Sequence, residues 1–157
     1  MLRIADLDAA LADIQRAMLD SSTLIAFHSP HEAAHLAAEH LLQRIASSDD
    51  PLSGYYSYVS AIELLVRPIR TSQQRLMFMH TFLTQFPNLT GLPLDMVVAV
   101  EAATIRAATG LALPDALTIA SGMLAGCEAI ITNDARWKAR GAPLFKQFRW
   151  IYLSDFI

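Results

Sequence analysis

Apolar and polar residues follow one another along this chain in blocks whose period changes. Residues 5 to 16 carry Leu7, Leu11 and Ile14 at helical spacing, which predicts a short amphipathic helix. "RAML" then runs into Asp20 as a short first strand. Residues 31 to 46 predict a helix with a stripe of Ala34, Ala38, Leu41, Leu42 and Ile45. A loop, "SSDDP" and Gly54, leads to "YYSYVS" (55 to 60), whose aromatic and β-branched content predicts a strand. "AIELLVR" predicts a short helix ending before Pro68, because a proline disfavours helical backbone in the residue before it.

Thr71 with Gln74 has capping-box spacing and opens a helix carrying Leu76, Met79, Phe82, Leu83 and Phe86. A strand is expected around Leu92-Pro93-Leu94. Asp95 stands where an N-cap belongs before "MVVAVEAATIRAAT", and Gly110 ends that helix. Pro114 opens "PDALTIASGMLA" and Gly126 closes it. "CEAIIT" and "FRWIYL" (148 to 153) read as the last strands.

Strands alternating with helices predict a parallel sheet covered on both faces. Such sheets bind ligands at the carboxyl ends of their strands. Asp20 follows the first strand and Asp134 follows "AIIT", so both acids stand at that rim.

Composition narrows the picture. The 157 residues, 54% hydrophobic and 17% charged, suit one folded domain with a proper core. No apolar run is long enough to span a bilayer. Asp6, Asp8 and Asp13 near the start argue against a secretory or transit peptide, so a cytoplasmic protein is expected. The single Cys127 forms no internal disulfide and no zinc cluster. The net charge of −3 gives no global pull on nucleic acid. Yet Arg136, Lys138, Arg140, Lys146 and Arg149 form an acid-free basic strip, which alone reads as solvated surface.

Most of the 15 acids look ordinary. Asp20 in "MLDSST", Glu63 in "VSAIELLVRP", Asp115 in "LALPDALTIA" and Asp134 in "IITND" border strongly apolar segments. Singly, each has a plain explanation: a turn residue, a solvent-facing helix position, or an anion favoured in a first helical turn. Together, all can be placed at one rim of the sheet. Two carboxylates about 4 Å apart repel by about 1 kcal/mol in water and about 4 kcal/mol at an effective dielectric near 20. No lysine or arginine is placed in the sequence so as to neutralise them. A hard divalent cation, Mg²⁺ or Mn²⁺, is the natural partner.

With these residues in order, the chain resembles the PIN-domain family, the fold of the VapC-type ribonuclease toxins. The resemblance rests on "LDSSTLIA" (19 to 26), "SAIELLVRP" (60 to 68), "GLALPDALTIASGMLAGCEAIITND" (110 to 134) and "WIYL". It implies a three-layer α/β/α PIN-like domain over residues 1–157, with a short, mainly parallel sheet and an additional N-terminal helix within 1–16. It also implies a metal-dependent endoribonuclease. Asp20 and Asp115 match the family's metal ligands, and Glu63 and Asp134 complete the acidic pocket and hold water. Thr132 and Ser21 match hydroxyl residues beside it, Ser21 standing where threonine is commoner. Arg67, Arg136 and Lys138 are candidates for contacts with RNA phosphates. A cognate antitoxin covering the pocket and a homodimer are the family's expected partners. The competing expectation is a non-catalytic PIN-like module that binds RNA or protein.

Other motifs carry less. His31 and His35 have the i,i+4 spacing of zinc ligands but no third donor. There is no glycine-rich phosphate loop. An aspartyl-phosphate phosphatase needs a second Asp where Ser22 stands. Trp137 and Trp150 could stack on bases, but core packing is the simpler expectation.

Overall fold

A computed structural model describes residues 3–157. Five strands, β1 (Arg16–Leu19), β2 (Ser53–Ser57), β3 (Leu89–Leu92), β4 (Ala129–Thr132) and β5 (Arg149–Tyr152), form one sheet in the order β3-β2-β1-β4-β5. Every pairing is parallel. The helices are α1 (Ile4–Ala10), α2 (Ser21–His28), α3 (His35–Ala46), α4 (Tyr58–Thr71), α5 (Gln73–Gln85), α6 (Met96–Thr109), α7 (Leu113–Leu124) and the single turn α8 (Trp137–Arg140).

Alternation along β1 divides the core. Ala17 and Leu19 join Leu7, Leu24, Leu41 and Phe82 on one face. Met18 joins Ala102, Ile119 and Trp137 on the other. The result is the three-layer α/β/α arrangement expected from the sequence. The extra N-terminal segment belongs to the first of these cores: Leu7, Leu11 and Ile14 are buried there. Its helix is shorter than expected, stopping at Ala10, and Asp13 takes a left-handed φ of 63°. No helix among the described residues is long and apolar enough to cross a membrane.

Strong local signals sit where the sequence put them. Asp95 accepts a hydrogen bond from Val98 N (3.0 Å) and Gly110 ends α6 in the left-handed region at φ 70°. Elsewhere the boundaries differ, each for a local reason. Ser57 caps α4, so "YVS" is helix and the strand lies earlier, with Gly54 inside it. Helix α4 runs through Pro68 to Thr71, whose hydroxyl donates to the Arg67 carbonyl at 3.0 Å. Ser72, not Thr71, then caps α5 by accepting from Arg75 N at 3.1 Å. Strand β3 precedes Pro93 because Asn88, at φ 55°, turns the chain and its amide donates to the Ile45 carbonyl at 2.9 Å. Helix α2 has no counterpart in the sequence reading.

Candidate active site

The sheet order reverses at β1: the chain builds β2 and β3 on one side of it, then crosses to place β4 on the other. Open parallel sheets leave a crevice at such a point, outside the carboxyl ends of the two strands. Here the strands are joined to their very ends, Leu19 opposite Ile131, with Asp20 N donating to the Ile131 carbonyl at 3.0 Å. A cleft of about 340 Å³ opens there, and Asp20, Glu63, Asp115 and Asp134 all line it.

Asp20 is the most enclosed of these acids, 9% exposed. Two hydroxyls converge on its Oδ2: Ser22 Oγ and Thr132 Oγ1 each donate to it at 3.0 Å. Each hydroxyl also accepts from a backbone N–H of the turn after β4, Asn133 N on Ser22 (2.9 Å) and Asp134 N on Thr132 (3.0 Å). One carboxylate oxygen thereby fixes the end of β1 to the turn after β4. No hydrogen bond among the described residues engages Asp20 Oδ1.

Asp115 lies in the first turn of α7, which begins at Leu113 with Pro114 next. Burial pushes its carboxyl above the usual range, opposed by the Arg140 guanidinium. Its Oδ2 is buried and lies 3.0 Å from Arg140 Nη1, at an angle that makes no hydrogen bond. Asp134 is held differently. Arg136 donates to it through Nε (2.9 Å) and Nη2 (2.8 Å), keeping its carboxyl below the usual range. Arg140 also reaches Asp134, at 3.5 Å, and packs over the Trp137 ring at 5.3 Å. The acids therefore do have cationic neighbours, contrary to the expectation from sequence. Arg136 and Arg140 lie one turn apart on and just before α8, the segment that the basic strip begins.

The candidate residues do not all converge. Ser21 lines the cleft, but Ser22 is the hydroxyl that holds Asp20. Thr132 sits against Asp20, as expected. Glu63 is exposed at the cleft's edge. Arg136 lines the cleft, whereas Lys138 turns away to pair with Asp155 (2.7 Å) over the Tyr152 ring. Arg67 lines a separate hollow. His35 is tied to the Ala26 carbonyl at 3.0 Å and forms no ligand pair with His31. Trp137 is buried against Trp150, ring centres 5.3 Å apart, as core packing requires. The sequence reading passed over Ser22, Asn133 and Arg140. For Arg140, membership of the basic strip directly after the "TND" turn was the available signal.

Among the described residues, no three His, Cys, Asp or Glu side chains form a ready metal cage. Mg²⁺ does not need one, since it takes one or two carboxylates and keeps several waters. Asp20, with Oδ2 held and Oδ1 accepting no hydrogen bond, and Asp115, whose Oδ2 faces Arg140 Nη1 at 3.0 Å, would supply such a donor set if the ion displaced that guanidinium.

Solved structures with the same fold include a chain of a toxin–antitoxin complex from Klebsiella pneumoniae. It is 19% identical, with a TM-score of 0.64 over 87% of this chain and 97% of that one. The DNA-bound VapBC of Salmonella typhimurium gives 17% identity and a TM-score of 0.63, covering 89% and 99%. VapC20 of Mycobacterium tuberculosis, a toxin that cleaves the sarcin–ricin loop, gives 16% and 0.61, covering 80% and 95%. No curated protein sequence matches the chain. The family model for the PIN domain matches residues 17–142, a span that begins in β1 and takes in all four acids of the cleft. The chain belongs to the PIN-domain family.

Proposed function

We propose that this protein is a Mg²⁺- or Mn²⁺-dependent endoribonuclease that hydrolyses RNA phosphodiesters, and that it is the toxin of a VapBC-type pair. The observation that carries this reading is the meeting of Asp20 and Asp115 in one cleft at the β1–β4 switch point, with Asp20 held through one carboxylate oxygen and Asp115 facing Arg140. A divalent ion held by that pair would polarise a phosphoryl oxygen and lower the pKa of a bound water. Ser22 and Thr132 fix Asp20 in place. Glu63 and Asp134 hold and orient water at the cleft's margin. Arg136, exposed at its mouth, faces the phosphate chain.

The toxin role draws on the structural neighbours, among them the VapBC of Salmonella typhimurium. A cognate antitoxin, action in the cytoplasm and a homodimer belong to the same reading. Exposed Met96, Val97 and Val100 on α6 supply an apolar face for a second copy.

The competing reading, a non-catalytic RNA- or protein-binding module, is favoured by one observation. Arg140 lies between Asp115 and Asp134 and, together with Arg136, already offsets their charge. Incubating the protein with structured RNA and Mg²⁺ or Mn²⁺, with a chelator control, separates the two. Ion-dependent cleavage that disappears in Asp20→Asn supports the nuclease. No cleavage with either ion, or full activity in Asp20→Asn, leaves the binding module standing.

A further inference from the structure

A second hollow, of about 420 Å³, opens between α2, α4 and α5. Ile25 and Glu63 line both it and the acidic cleft, so the two are contiguous. Their charge balance differs. Where the cleft gathers carboxylates, the hollow presents Arg67 and Arg75, both exposed. None of the ion pairs among the described residues includes either arginine.

Its wall is aromatic. Phe78 is 65% exposed and meets the His28 ring edge-on at 5.9 Å, and His28 stands edge-on against Phe82 at 4.4 Å. Cations for phosphate and a ring face for a base are groups that bind single-stranded nucleic acid.

We propose that the hollow between α2, α4 and α5 is a nucleotide subsite for the RNA strand whose phosphodiester enters the acidic cleft. Arg67 and Arg75 take the flanking phosphates and Phe78 stacks on an unstacked base. This rests on the ribonuclease reading. A partner's apolar helix is the rival occupant, but two arginines without acidic partners and continuity with the cleft favour a polyanion that already reaches the acids.

The test uses Asp20→Asn protein, to prevent cutting, and a fluorescent single-stranded oligoribonucleotide of about eight nucleotides, within known single-strand site sizes. Added Arg75→Gln weakens binding about three- to tenfold and flattens the slope of log affinity against log salt by about 0.7. Added Phe78→Ala weakens it about fivefold or more. Both positions are exposed on α5, and a thermal melt confirms that each variant is folded. In the cleaving protein, the advantage in kcat/KM of the longer RNA over a dinucleotide shrinks in the same two variants. Unchanged RNA affinity and an unchanged length advantage overturn the subsite. So does loss of binding to a protein partner with RNA binding intact, which assigns the hollow to that partner. A wild-type protein that cuts no RNA overturns the nuclease reading instead, and the binding measurements still decide the subsite.

Discussion

Thr132→Val removes one hydroxyl and keeps the shape of the side chain. Thr132 is fully buried, so no water replaces what is lost. Its hydroxyl donates to Asp20 Oδ2 and accepts from Asp134 N, both at 3.0 Å. The first bond has a charged acceptor, a class that contributes about 1.5–3 kcal/mol, but Ser22 still serves that oxygen and limits the loss. The second bond leaves an amide hydrogen without a partner, at about 1–3 kcal/mol. Together these give a destabilisation of about 3 kcal/mol, or about 6–12 °C in Tm for a chain of this size. Urea unfolding followed by circular dichroism measures it. Thr118→Val is the internal control. That residue is equally enclosed, but its hydroxyl donates only to the Pro114 carbonyl of its own helix (3.0 Å), so its loss costs under about 1 kcal/mol. Equal losses at the two positions, or a Thr132→Val loss below about 0.5 kcal/mol, would refute the idea that this hydroxyl joins the two halves of the site.

Two further outcomes are expected. Burial pushes the His28 imidazole from its ordinary 6.5 down to about 4. The unfolded chain therefore binds more protons between those values, and His28 supports the fold fully above pH 6.5 and progressively less toward pH 4. The full shift would amount to about 3.4 kcal/mol; the ring is partly exposed, so about 1–2 kcal/mol is expected. Unfolding midpoints of wild type and His28→Phe should diverge over this range, with the wild type falling faster in acid, and parallel curves would contradict the assignment. Gly141→Ala drives a Cβ into the Trp137 ring, a side chain only 1% exposed, and should cost about 1–3 kcal/mol in the same unfolding assay.

How far the sequence carried each element depended on whether its signal was local. Asp95, Gly110 and Pro114 act within one turn of themselves, and the helices they bound lie where they place them. Helix α2 escaped because "SSTLIAFH" carries apolar residues on several sides of the helix, leaving no single stripe to read. Pro68 reads as a stop, yet α4 continues through it to Thr71, with the Thr71 hydroxyl donating to the Arg67 carbonyl and Ser72 N to the Pro68 carbonyl. The acids announced themselves by sitting in apolar surroundings. The groups that hold them did not: Ser22 and Thr132 are separated by 110 positions, and only β1–β4 pairing brings them within 3.1 Å. Arg140 was visible as part of a charged strip, but nothing in the spacing of that strip says which member folds back over Trp137.

That pairing also sets when the cleft is completed as the chain is made. Strand β1 leaves the ribosome long before its partner on one side, β4. Until residues 129 to 134 emerge, Asp20 has neither the Thr132 hydroxyl nor the turn amides that fix the site. A nascent chain that stalls before β4 therefore lacks the completed cleft and has an unpaired strand edge open to chaperones and proteases. For a protein proposed to cut RNA, late completion of the site keeps an unfinished copy from acting on the machinery that is still synthesising it.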